Sequence, residues 1–263
     1  MSLSRTAALL LSIGLFCGNA QAAEQLVWDP RTDTALTVGS NLVWGGLYVG
    51  LERDLKPAPF STTTPTGLDA VSVGRWSKGA AIASDALLFG FIPVGLAASV
   101  VGAGGMERPG VGGLLFLESW GLTGAIVDGA KVAIQRPRPY NFYPNPTNDI
   151  RDHMAEGDAT LSFPSGHTAF TAAMAFTSAG LLAHGQDLPP ALAYGGAAAL
   201  TVGVGSLRVL AGRHYPTDVL AGAGIGAAVG VLVVESHIGE APVRLGASGG
   251  GSGGRMVQVA GAF

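Results

Sequence analysis

Five apolar segments, each bounded by glycine, proline or charge, constrain this chain more than any other feature: 79–101, 111–133, 168–183, 191–211 and 219–234. Runs of this length and composition read as hydrophobic helices, and such helices must bury themselves in one another or in lipid. The expected fold class is therefore all-α, a helical bundle with five or six membrane-embedded helices. Charged residues make up 13% of the 263 and hydrophobic ones 48%, against about 25% charged in ordinary soluble domains, so little polar material is available to cover a soluble surface. Gly222, Gly226 and Gly230 recur every fourth residue, the small-residue face that lets helices approach closely in lipid. Asp85, Glu118 and Asp128 lie inside the apolar runs and would have to face the bundle interior, paired or functional. Two observations keep a soluble periplasmic bundle as the alternative. Two runs fall short of the ~20 residues that a span needs, and the turns around Gly105 and Gln186 carry only Arg108, which leaves the positive-inside signal nearly absent.

The first residues carry Arg5, an apolar stretch from Ala7 to Phe16, and Ala20 and Ala22 at cleavage spacing, the pattern of a secretory signal peptide over 1–22. The only cysteine, Cys17, lies within it, so the mature chain offers neither disulfide nor thiol nucleophile. Residues 23–78 are mixed and turn-rich, with 36–51 weakly apolar. A helical domain spans 79–236 and a glycine-rich tail 237–263, in which 246–255 reads as a linker and "MVQVAGAF" as one short strand. The net charge of −3 leaves no basic footprint, so nucleic acid is not an expected partner, and nothing in the sequence calls for an obligatory protein partner.

Three polar clusters stand at the ends of these helices. In "KVAIQRPRP", Lys131 and Arg138 are two helical turns apart, with Pro137 and Pro139 ending the helix; a basic helix end also suits carbonyls or lipid headgroups. In "PSGH", Ser165 can cap the following helix and Gly166 lets a ligand approach its backbone, so the first free amides form an anion site beside His167. In "LRVLAGRHYPTDVLAG", Arg208 ends one run, Pro216 starts the next, and His214 and Asp218 are four residues apart. A carboxylate bonded to one imidazole nitrogen would fix the tautomer and raise the basicity of the other. If neighbouring helices run antiparallel, all four helix ends share one face. That face then gathers three cations, two histidines and a helix N-terminus, a set suited to a phosphoryl group and a charge-spread transition state.

These residues resemble the phosphatidic acid phosphatase type 2 superfamily, which includes bacterial acid phosphatases and vanadium haloperoxidases. Its pattern falls on Lys131, Arg138 and Pro139, on Pro164, Ser165, Gly166 and His167, and on Arg208, His214 and Asp218, with Leu207 where the family usually has serine. The resemblance implies that family's helical bundle and a metal-independent, two-step hydrolysis of a phosphomonoester or diphosphate. His214 would be the nucleophile, Asp218 would orient it and His167 would protonate the leaving alkoxide. Lys131, Arg138, Arg208 and the backbone at Ser165 and Gly166 would hold the phosphate. No metal and no cofactor is implied; vanadate enters only if the haloperoxidase alternative holds.

The expected substrate is a lipid phosphate, with membrane lipid as the surroundings. The alternatives are a soluble periplasmic acid phosphatase on small phosphomonoesters and the haloperoxidase. With an exported N-terminus, and with 36–51 lying at the surface or interface, the site would sit in the inner membrane facing the periplasm; if 36–51 crossed, the site would be cytoplasmic. Asp149, Asp152, Glu156 and Asp158 read as a solvated rim, and His153, His184 and His237 as ordinary loop or helix-end histidines.

Overall fold

Capping chemistry sets where the helices begin. Asp29 accepts the backbone amides of Arg31 and Thr32 and, with Pro30 in the first turn, starts α1 (Pro30–Leu47). Ser77 accepts the Ala80 amide and starts α2 (Lys78–Gly102). α3 (Pro109–Ile134), α6 (Pro190–Leu210) and α7 (Pro216–Glu235) all open on proline. α4 (Asn148–Ala155) is short, and α5 (Gly166–Gly185) begins at the "PSGH" stretch. This is a computed structural model, and it describes residues 26–52, 55–56, 63–105, 109–186, 188–239, 244–248 and 256–260. The expected leader, 1–22, lies outside them.

α5 is the axis of the bundle. It packs against α2, α3, α6 and α7, and its buried residues are mostly alanine, threonine, serine and glycine, small enough for backbones to come close. The glycine stripe of α7 serves this contact. A Cβ at Gly222 would lie 2.5 Å from the Ser165 carbonyl oxygen, one at Gly230 2.6 Å from that of Ala173, and one at Gly226 would collide with that of Ala169. Enlarging any of them would force the two backbones apart, an overpacking that costs about 1–3 kcal/mol.

α1 departs from the expectation for 36–51, which placed that stretch at the surface or interface. It runs parallel to α3 as a further bundle helix. Asp33 lies 3.4 Å from His237 just beyond α7, Asn41 donates to the Leu117 carbonyl at 3.0 Å, and Trp44 Nε1 donates to Asp128 at 2.8 Å, close to Lys131. α1 therefore starts at the end where α7 finishes and ends at the end where α3 finishes. Asp33, Thr37 and Ser40 are buried against the bundle, while Leu36, Val38, Leu42 and Val43 face outward, Leu42 with 70% exposure. Polar inside and apolar outside is the arrangement of a helix in lipid, where ionisable groups turn to the bundle interior. A single π turn, Tyr48–Glu52, extends α1.

The segments Lys78–Gly102, Gly110–Phe142, Pro190–Leu210 and Pro216–Glu235 are long and apolar enough to cross a membrane. α5 is enclosed by them and α1 carries a polar inward face, which explains why neither joins that set. The tail holds an antiparallel pair, β1 (Arg244–Ser248) and β2 (Met256–Ala260), with Arg244 opposite Ala260. The sequence pattern pointed only to the second strand. Gly246, Ala247 and Ser248, read as the start of a linker, belong to β1, whose backbone groups find their partners in β2.

Candidate active site

All the residues named from sequence come together at one end of the bundle. α3 brings Lys131, whose Nζ lies 3.8 Å from the position a Cβ would take on Gly166. The segment after α3 brings Arg138, α5 brings His167, the last turn of α6 brings Arg208, and the turn before α7 holds His214. That turn is tight. Gly212 has φ +70, and a Cβ there would collide with the Arg75 carbonyl, so a glycine is needed both for the backbone and for the approach.

His214 is buried, and its two ring nitrogens are distinct. Nδ1 lies 2.7 Å from the Ser162 carbonyl oxygen; because that oxygen can only accept, Nδ1 carries the hydrogen. Nε2 then keeps its lone pair, to which Arg138 Nη1 donates at 3.0 Å. Burial, then the charges of Arg138, Arg208 and His167, hold the ring well below its ordinary pKa. It is a neutral imidazole with its basic nitrogen turned to the cations.

Asp218 does not hold His214 in the way its spacing suggested. Its nearer oxygen is 3.7 Å from Nδ1, too far for a hydrogen bond. The carboxylate instead accepts Ser162 Oγ at 2.6 Å, the Tyr215 amide at 2.8 Å and Arg136 Nη1 at 2.5 Å. Asp218 thus clamps the start of α7 to the strand of chain carrying Ser162, and the Ser162 carbonyl fixes the tautomer. Ser165 also differs from expectation. Its amide donates to the Asp218 carbonyl oxygen at 3.0 Å and its hydroxyl pairs with Thr168 at 2.9 Å, so neither caps α5 in the ordinary way nor faces a ligand. The amides of Gly166, His167 and Thr168 remain as first-turn donors without an intrahelical carbonyl.

Each cation is steered by an aspartate. Lys131 Nζ is 2.9 Å from Asp128, Arg138 Nη2 is 2.5 Å from Asp158, and Arg208 Nη1 is 3.4 Å from Asp85. Arg138 also donates Nε to the Asp158 carbonyl and Nη1 to that of Arg213, which fixes its plane. Burial would raise the Asp158 pKa, but the charge and hydrogen bond of Arg138, with Lys131, hold it at about 2. Asp158, its side chain 42% exposed, lies at the rim as expected and also pairs with Arg138. Arg208 is buried, and its Nε has no acceptor among the described residues.

Three further residues were not singled out from the sequence. Arg136 bridges Asp218 and Asp69 while stacking 4.1 Å over the Tyr215 ring; it stands in the same "QRPRP" stretch as Arg138 and was legible there. Asp69 also accepts the Thr217 amide at 3.1 Å, tying the segment before α2 to the site. Arg213 lies over Trp76 and bonds His153 at 3.1 Å, so His153 is part of the rim. A platform of Tyr140, Ile150 and Ala159, with Trp76, Tyr143 and Met154 against it, supports Arg138 and Asp158 from beneath.

The model of the PAP2 superfamily matches residues 112–239. Residues 112–239 belong to the PAP2 superfamily. The match contains every sequence-named site residue, while Asp69, Asp85 and α1 lie outside the PAP2 region. Among solved structures, a chain described as the first transmembrane PAP2 type phosphatidylglycerolphosphate phosphatase, from Bacillus subtilis, is similar at 20% identity and a TM-score of 0.47, covering 78% of this chain and 94% of that one. No curated protein sequence matches.

Proposed function

We propose that this protein hydrolyses the phosphate ester or diphosphate of a membrane lipid through a phosphohistidine on His214, within a bacterial envelope membrane. The observation that carries the reading is the neutral, buried His214 with its Nε2 lone pair beside Arg138, next to an Arg208 whose Nε lacks an acceptor among the described residues. Nε2 attacks phosphorus while Arg138 shifts its N–H from the lone pair to a phosphoryl oxygen. Lys131, Arg208 and the amides of Gly166, His167 and Thr168 take up the charge that spreads over the remaining oxygens. His167 gives a proton to the departing oxygen, and a water activated by the same ring then cleaves the P–N bond. These steps use no metal, and membership of the PAP2 superfamily supports this chemistry over other uses of a cationic pocket.

Four apolar spans and the outward apolar face of α1 favour a lipid substrate delivered from the bilayer. The orientation changes with α1. When α1 crosses beside α3, residue 26 and the site lie on opposite faces. The periplasmic site inferred from five crossings then requires residue 26 in the cytoplasm, and an exported leader puts the site in the cytoplasm instead. The enzymatic reading is tested with His214→Ala and His167→Ala on phosphatidate and undecaprenyl diphosphate, with acid-labile, base-stable labelling of wild type by a 32P-phosphorylated substrate. Undiminished turnover in His214→Ala would sink the proposal.

A further inference from the structure

Resting on the phosphatase reading, we propose that Asp85 is a positioning residue for His167: it holds Nε2–H and leaves Nδ1 as the atom that hands a proton to the leaving oxygen. Asp85 Oδ1 lies 2.7 Å from His167 Nε2 and 3.4 Å from Arg208 Nη1. An ionised carboxylate only accepts, so Nε2 is the protonated nitrogen and its hydrogen is committed to Asp85. Nδ1 is the one ring atom left for substrate. It is bonded to Cγ and so stays close to the chain at the start of α5, where the first-turn amides lie, whereas Nε2 reaches across to α2.

The groups around this ring define what Asp85 adds. Arg208 faces it from α6, Arg138 from the segment after α3, and His214 from the turn before α7; Phe89 of α2 stands edge-on at 6.5 Å. Lys131 lies close by at Gly166. Asp128 and Asp158 are engaged by Lys131 and Arg138, so Asp85 is the carboxylate that meets this ring, and the arginines around it oppose an imidazolium. The Asp85 carboxylate is what makes a charged, proton-donating ring tenable among them. In the first step the Nδ1–H proton passes to the leaving oxygen as the P–O bond breaks and the His214 Nε2–P bond forms. His167 is left neutral with Nε2–H still on Asp85. In the second, Nδ1 takes a proton from the attacking water as the P–N bond breaks, which releases phosphate and restores both histidines.

The test compares Asp85→Asn and Asp85→Glu on two substrates that differ in their need for an acid. p-Nitrophenyl phosphate has a stable leaving anion; a phosphatidate has an alkoxide that must be protonated. General-acid assistance contributes about 10²–10⁴-fold, so the expected result for Asp85→Asn is a loss of roughly 10–100-fold in kcat on phosphatidate and under about threefold on p-nitrophenyl phosphate. Because Asp85 also lies 3.4 Å from Arg208, any rise in KM should be the same on the two substrates. The basic limb of the phosphatidate pH profile should move to lower pH, and Asp85→Glu should recover most of the loss. Equal losses on both substrates, or an unmoved limb, would overturn the assignment of Asp85 while leaving the phosphatase reading intact. If Asp85→Asn does not fold, Asp85→Ser is read by the same substrate ratio and pH limb, a selective loss on phosphatidate supporting the assignment and an equal loss overturning it. A wild type inactive on both substrates would overturn the phosphatase reading and this inference with it.

Discussion

Asp218→Asn separates two ways in which a buried carboxylate can serve His214. If Asp218 held the Nδ1 hydrogen, amidation would leave the wrong tautomer, a change that costs about 10⁴-fold in kcat where a carboxylate does this work. Here the Ser162 carbonyl accepts Nδ1–H at 2.7 Å and Asp218 stands 3.7 Å away, so the tautomer survives. What Asp218 still supplies is charge as the ring becomes cationic on attacking phosphorus. Two unit charges at that separation interact by about 4.5 kcal/mol at an effective dielectric of about 20. The Arg136 guanidinium, 2.5 Å from the same carboxylate, opposes that field; cancelling half leaves about 2 kcal/mol, or roughly 30-fold in kcat. Stability should suffer more than chemistry. Asp218 is fully buried, and breaking a buried pair by neutralising one partner costs about 3–5 kcal/mol, which in a chain of this size lowers Tm by roughly 6–20 °C. The assay is kcat on p-nitrophenyl phosphate in detergent, alongside thermal unfolding. A loss near 10⁴-fold with an unchanged Tm would refute the assignment of the tautomer to Ser162.

Two further expectations concern topology and pH. Thr66→Cys, before α2 at the site end, and Ser236→Cys, at the far end, should react with a membrane-impermeant maleimide from opposite sides of the membrane, with Ser236→Cys reached from outside if the leader is exported; labelling of both from one side would mean that the bundle does not span. For His214, the folded pKa lies below the unfolded one, so its contribution to stability is complete above about 6.5 and is lost as pH falls from there towards the folded value. Tm should therefore decline below that pH, while the acid limb of kcat/KM on p-nitrophenyl phosphate should lie well under 6.5 because the nucleophile stays neutral; an acid limb at 6.5 would show that burial does not depress this ring.

Which side chains meet was legible in the sequence; which hydrogen goes to which acceptor was not. Lys131, His167, Arg208 and His214 sit at helix ends marked by proline and glycine, and antiparallel order alone brings those ends together. The partners come from elsewhere. Asp128 precedes Lys131 by three residues on one helix, a pairing that spacing announces. Asp85 and Asp158 reach Arg208 and Arg138 only through packing of α2 and of the connection before α5, which no local pattern encodes. Likewise His214 and Asp218 have the spacing of a bonded pair, but Arg136 and Ser162 compete for the carboxylate and win, because a buried anion gains more from a guanidinium and a hydroxyl than from a ring whose hydrogen already has a carbonyl.

α1 shows a deeper limit, since amphipathicity has no sign until the solvent is known. A stripe of Asp33, Thr37, Ser40 and Asn41 opposite Leu36, Leu42 and Val43 gives the same periodicity whether the polar or the apolar side faces outward. Read as a surface helix of a water-exposed segment, the polar stripe points out; packed on α3, it points in, where Asp33 meets His237 and Asn41 meets the Leu117 carbonyl. The choice depends on whether α3 offers polar partners along its length, and Asp128 at one end with the Leu117 carbonyl nearer the other does so. Loss of the Asn41 contact to the Leu117 carbonyl should therefore loosen α1 without disturbing the catalytic end, whereas Asp128, which holds both Trp44 and Lys131, couples the two.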